Sequence, residues 1–228
     1  IVYSFIYVCG VLRMTYLEVV NNVLRRIREE EVPSVDSTTY SKMIGDFVND
    51  AKKIVETSWD WSALRTTVVF TTSENVFTYP LLDTKDTVKA LNVINDTSNF
   101  FMDYRTTDWF DNQYYNQDPV KGSPQLYTYR GLDSNGDTQI DVYPKPDGAY
   151  VVRFNCVLRN DELVADTDKL MVPNMPVIHL AVALAARERG ETGGTSTAEY
   201  FAIADTYLSD AIALDAQKHP YATDWYTP

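Results

Sequence analysis

One change of periodicity bounds what this chain can fold into. Residues 15–57 place apolar side chains at helical spacing, the stretch "SWDWSALRTTVVF" switches to β-branched and aromatic runs, and helical spacing returns only at Pro176. Trp59 and Trp61 mark the switch. Residues two apart cannot share a helix face, but they do share one face of an extended chain. The pattern predicts an α+β fold: a helical frame of two N-terminal and two C-terminal helices, with an antiparallel β unit inserted between them.

In the first helix, Thr15 and Glu18 fit a capping box, and Leu17, Val20, Leu24 and Ile27 recur on one side up to Glu31, before Pro33. The second helix runs from about Ser37 to Thr57, with Tyr40, Ile44, Phe47, Ala51, Ile54 and Val55 as its stripe. "LRTTVVFTTSENVFTYPL" reads as a hairpin, and "TVKALNVIND" and "NFFMDYRT" as two further strands. "TDWFDNQYYN" reads as a short helix with Thr107 at its N-cap. "QLYTYRG" and "TQIDVYP" flank "LDSNGD", whose Asn-Gly signals a tight hairpin, and "YVVRFNCVLRN" follows the "KPDGA" turn. Asn174 is placed to cap the third long helix, which stops at Gly190. The last helix opens on a capping box of Ser196 and Glu199, turns Ile203, Tyr207, Leu208, Ala211 and Ile212 inward, and ends near His219. The expected layout is an extension (1–13), helical segments 14–63 and 174–219, an inserted β domain (64–173) and an aromatic tail (220–228).

Composition narrows the function classes. The chain has 228 residues, 45% hydrophobic and 13% aromatic, which is enough to bury a core. Its net charge of −12 argues against a surface that grips nucleic acid through phosphates, and fits one that DNA slides past. Sixteen tyrosines suit surfaces buried on assembly, being apolar in body and polar at the tip. The two cysteines, Cys9 and Cys156, form no CxxC, so neither a disulfide framework nor a zinc site is expected. "IVYSFIYVCGVLR" is too short to cross a bilayer, so no membrane role is expected. It reads either as residues ahead of a natural start at Met14 or as a strand added to a neighbour.

Candidate chemistry is sparse. "DSNGDTQID" resembles a calcium loop, but Gly136 stands fourth from Asp133 where the loop needs it sixth, and Pro144 stands where the twelfth-position glutamate belongs. No GxSxG, Walker loop or GxGxxG occurs. His179 lies in an apolar helical run and reads as a packing residue. Asp161/Glu162 and Asp166/Asp168 are the acid pairs a glycoside hydrolase would need, but they sit in a polar loop. Arg25, Arg26 and Arg28 run directly into Glu29, Glu30 and Glu31, so their field is mixed. No catalytic residue, metal ligand or cofactor is expected. The tail "HPYATDWYTP" holds Tyr221, Trp225 and Tyr226, and reads as docking on another subunit, or else packing back on its own domain.

The order of these parts resembles the head-to-tail adaptors of short-tailed bacteriophages, the tail tubular protein A type. The matching features are Gly122, Pro124, Tyr127 and Tyr129; the turn with Tyr143, Pro144, Pro146 and Ala149; and the loop with Leu163, Asp166, Asp168 and Pro173 before the alanine-rich helix at Ala181. The resemblance spans roughly residues 15–215. It implies a virion protein at the head–tail interface, made in the host cytoplasm and forming a ring of about twelve copies. The ring would sit between portal and tail nozzle, with DNA crossing its lumen without sequence-specific contact, no cofactor and no catalysis. A wall-degrading glycosidase and a carbohydrate-binding tail module are the alternatives. Within such a ring, Trp59 and Trp61 would pin the β unit to the helical frame, although ordinary core packing serves equally. At ~25 cal/mol per Å² of apolar area, two buried indoles contribute several kcal/mol.

Overall fold

The computed structural model describes residues 13–84, 88–190 and 197–218. The chain divides into two units: residues 1–63 with 160–228, and residues 64–159.

In the helical unit, α1 (Tyr16–Arg26) opens on the expected capping box: the Thr15 hydroxyl accepts from Glu18 N–H, and Thr15 N–H donates to Glu18 Oε2 at 2.8 Å. Its buried side is Tyr16, Val19, Val20, Val23 and Leu24. The expected stripe was rotated slightly, since Leu17 and Ile27 only flank that face. The helix also stops five residues before Glu31. Arg28 turns left-handed (φ 63°), and the Asn21 amide clamps the returning chain through both Val32 N and Val32 O.

A 3-10 turn (Val35–Ser37) leads into α2 (Thr39–Ser58), capped by Thr38. Its buried side carries Ile44, Val48, Ala51 and Val55, together with the polar Ser41, Asn49, Lys52 and Glu56. Ile54 faces solvent and Phe47 is half-buried, contrary to the periodicity reading. The reason lies in residues 160–173, which were assigned to the β domain and instead pack with the helices. The Asn49 side chain bonds both N and O of Leu163, Lys52 Nζ donates to Asn160 O and Asp161 O, and Tyr16 N–H donates to Asp168 O. A loop rich in backbone polar groups needs polar partners, so α2 turns polar residues toward it.

α4 (Asn174–Arg189) packs against α1, α2 and α5 (Thr197–Ala216). Its N-cap is Pro173 rather than Asn174, with no side-chain cap. The alanines 181, 183, 185 and 186 are buried, which permits close helix approach. Gly190 closes the helix in the left-handed conformation at φ 63°, as its residue type anticipates. On α5, the buried residues are Ala204 and Asp215. Ile203 and Tyr207, expected inside, are exposed, and Leu208, Ala211 and Ile212 are half-buried. Ser196, half of the expected capping box, and His219 lie outside the described residues.

Residues 64–159 form two four-stranded sheets. β1 (Arg65–Thr71), β8 (Val151–Leu158), β3 (Val88–Asn95) and β4 (Phe100–Phe101) make one, in that order. β2 (Thr78–Pro80), β7 (Thr138–Tyr143), β6 (Leu126–Leu132) and β5 (Asp103–Tyr104) make the other. β1 and β2 therefore do not form the expected hairpin. The Tyr79 hydroxyl bonds Ser73 N, Ser73 O and Val76 O, which folds the linking loop so that the two strands enter different sheets. "NFFMDYRT" likewise splits, with β4 in one sheet, β5 in the other and Met102 buried between them. The β5–β6 pair is parallel, so the unit is mixed rather than purely antiparallel.

The β6–β7 hairpin forms as read. Asp133 Oδ1 accepts from Asn135 N–H and Asp137 N–H, both at 2.8 Å, and Gly136 supplies φ 84°. Between β5 and β6, α3 (Thr107–Tyr115) has Thr106 at its N-cap rather than Thr107, without a side-chain bond. Tyr79, Leu81, Val93, Met102, Tyr127, Ile140, Val142, Val152 and Phe154 form the shared core of the two sheets.

Candidate interaction surfaces

Most of the described side chains singled out as chemistry carry structure. Asp166 Oδ1 accepts from Val35 N–H at 3.0 Å. Asp168 Oδ2 accepts from Val164 N–H and Ala165 N–H, which hold its carboxyl below the usual carboxylate range. Glu162 pairs with Lys53. His179 stacks on Tyr207 (ring centroids 4.2 Å apart), and its Nε2 accepts from the Arg26 guanidinium at 2.9 Å. Burial first, then the Arg26 charge, lower its pKa, so it stays neutral in a packing role. The Cys156 thiol is buried and its pKa is pushed up, away from reactivity. Arg25 pairs with Glu31, and Arg189 with Glu29, so the acidic run after the arginines is engaged within the unit.

Among the described residues no group of three or more His, Cys, Asp or Glu is placed to hold a metal ion, and no helix is long and apolar enough to cross a membrane. In the β unit, buried Asp141 accepts from Thr78 Oγ1 at 2.6 Å and from Arg130 at 3.1 Å, while Arg130 also reaches Asp111 on α3 at 2.9 Å. Burial raises the Asp141 pKa against these bonds. Beside it lies an aromatic nest: Phe77 stacks on Tyr114 (4.1 Å) and Trp109 meets Tyr143 edge-on (5.1 Å). The Tyr114 hydroxyl donates to Val142 O at 2.5 Å. These contacts fasten α3 to β6 and β7.

What remains is apolar surface. α5 presents Ile203 (41% exposed), Tyr207 (36%) and Leu214 (66%), spaced four and seven residues apart and so on one face. The β unit exposes Phe101, Tyr104, Tyr115 and Leu132. The periodicity reading turned Ile203 and Tyr207 inward, because a helix with apolar residues on every side has no polar face to orient it. The signal available was that all-round apolarity in a helix close to an aromatic tail. The docking candidates Tyr221, Trp225 and Tyr226 lie outside the described residues, as does most of the extension.

The junction tryptophans part company. Trp61 is 1% exposed, its indole N–H donating to Val55 O at 2.7 Å, while Trp59 caps α2 and is 36% exposed.

No curated protein matches the chain. The family model described as SU10 adaptor protein matches residues 14–226, which takes in every described helix and strand. This chain is a member of the SU10 adaptor family, a phage adaptor and structural component of the virion's head–tail junction.

Proposed function

We propose that the protein is a ring-forming head-to-tail adaptor of the tail tubular protein A type. About twelve copies would close a ring between the portal and the tail nozzle, with DNA passing through the lumen. The helical unit forms the ring wall, and the Tyr221, Trp225 and Tyr226 segment docks on the portal or on a neighbouring copy. The chain is made in the host cytoplasm and assembles at the head–tail interface.

The observation that carries this reading is the α5 row of Ile203, Tyr207 and Leu214. An apolar row along an exposed helix loses its cost in water when a second copy covers it. The acidic balance, −12 over the chain, supports passage of DNA without adhesion.

The test is the solution mass of the purified chain, alone and mixed with a portal ring, by light scattering with negative-stain images. Joining the portal as a closed ring supports the proposal, and Ile203→Lys should then weaken ring closure. A chain that stays monomeric and ignores the portal refutes it.

A further inference from the structure

A groove of about 580 Å³ opens in the helical unit, in the size range of clefts that take one compact organic group. Its walls are Trp61, Met171, Val172, Pro173, Ala211 and Leu214. These are apolar, Asn174 is a polar residue in the same lining, and Leu214 is 66% exposed. Two cations, Arg13 and Lys218, are part of the lining. Asp215, the acid in the lining, is already committed: Ser62 N–H donates to it at 2.8 Å and Lys218 Nζ at 3.0 Å. The groove is thus largely apolar with a positive balance.

We infer that this groove seats the aromatic segment from Tyr221 to Tyr226 of the same chain in the free protein. Reach allows it. Lys218 is both a lining residue and the last described residue of the C-terminal segment, so Tyr221 lies three residues on and Trp225 seven. At ~3.5 Å per extended residue these are spans of about 10 Å and about 25 Å. Chemistry fits it. Tyr and Trp rings match an apolar wall containing a methionine sulfur, and their faces attract the lining cations. Asp224, the only acid in the segment, complements the charge of Arg13, whose guanidinium reaches the Met171 sulfur at 2.8 Å, while Lys218 is shared with Asp215. Residues 1–12, which precede Arg13, contain no charged side chain to answer it.

Own-chain capture also prevails over a second copy at ordinary concentrations, because so short a tether gives an effective concentration on the order of mM. A partner that takes the tail must then win it from the groove. Leu214 belongs both to this groove and to the α5 row, so the two proposals are told apart by their readouts: Trp225 emission for the groove, solution mass with the portal for ring closure.

The test reads Trp225 by difference between the full chain and Trp225→Phe, as emission maximum and acrylamide quenching. The inference requires a blue-shifted, several-fold protected Trp225 whose signal does not change across about a hundredfold dilution of the protein. It also requires that Leu214→Lys, and separately Asp224→Lys, return Trp225 to the water-exposed emission. Asp224 lies beyond α5, so its variant leaves the helices intact. Exposed emission in the unaltered chain overturns the inference. So does protection that fades on dilution, which assigns the groove to a second copy. Protection that survives both variants overturns it too, placing Trp225 elsewhere and leaving the groove to another occupant such as residues 1–12.

Discussion

Lys52→Met is the sharpest test of how the helical unit is held together. Lys52 is 1% exposed and Glu56, one turn later on α2, is 3% exposed; their charged atoms are 3.1 Å apart. The same ammonium donates to Asn160 O at 2.8 Å and Asp161 O at 2.9 Å, fastening the start of the 160–173 segment to α2. Methionine keeps much of the stem's volume and removes all three interactions. Breaking one side of a buried pair costs about 3–5 kcal/mol, because the remaining charge stays out of water. A carbonyl left without a donor adds about 1–3 kcal/mol, not additively.

We expect a loss of about 4 kcal/mol, against a typical total of about 5–15 kcal/mol. Urea unfolding followed by far-UV circular dichroism, with the slope held fixed, measures it. The double variant Lys52→Met/Glu56→Leu should recover a large part of the loss, since replacing both charges by apolar groups is often neutral. The residue left unrecovered reports the two carbonyls. A single variant within about 1 kcal/mol of the parent would refute the reasoning. It would mean that the ion pair is solvated or that the 160–173 segment is held by other bonds alone.

Gly45→Ala should destabilise, although alanine favours helices over glycine by about 1 kcal/mol. A Cβ at position 45 would overlap the Tyr16 hydroxyl and sit 3.0 Å from Val35 Cγ1, and chemical denaturation would register the sign. Acid should weaken the fold partly through Asp168. Its folded pKa lies below the ordinary 3.8, so its contribution is present above that value and is lost as pH falls through the folded pKa. Asp168→Asn should flatten that part of a stability–pH curve, and an unchanged curve would remove Asp168 from the account. Asp141 has the opposite sign: its pKa is raised by burial, so its contribution is greatest below 3.8 and declines as pH rises through the folded value. Our proposal that Trp59 and Trp61 act together at the junction expects Trp59→Ala to lower the melting temperature. A neutral Trp59→Ala, with a damaging Trp61→Ala, would leave the role to Trp61 alone.

The sequence by itself determined whatever rests on neighbours along the chain. The Thr15–Glu18 box, the Gly190 stop and the Asp133–Gly136 hairpin are bonds and backbone angles spanning a few residues, so residue type and spacing suffice to read them. The switch from helix to strand and back is a periodicity, equally local, and it carried the α+β class. The order of such motifs also carried the resemblance to phage adaptors, and the family match agrees at that level.

Tertiary structure alone decided which partner each element meets. β1 and β2 look like a hairpin because both are apolar and adjacent; they part because β1 finds β8 and β2 finds β7, with paired residues 59 or more positions apart. Residues 160–173 look like the end of a β domain, yet α2 supplies their backbone with Asn49 and Lys52. The face of α5 was misread at Ile203 and Tyr207 because its apolar residues surround the helix, and periodicity locates a buried face only when a polar one opposes it. Burial is a property of what lies across the gap. That is why the helices were legible in this chain, and why the surface with which it joins other proteins was not.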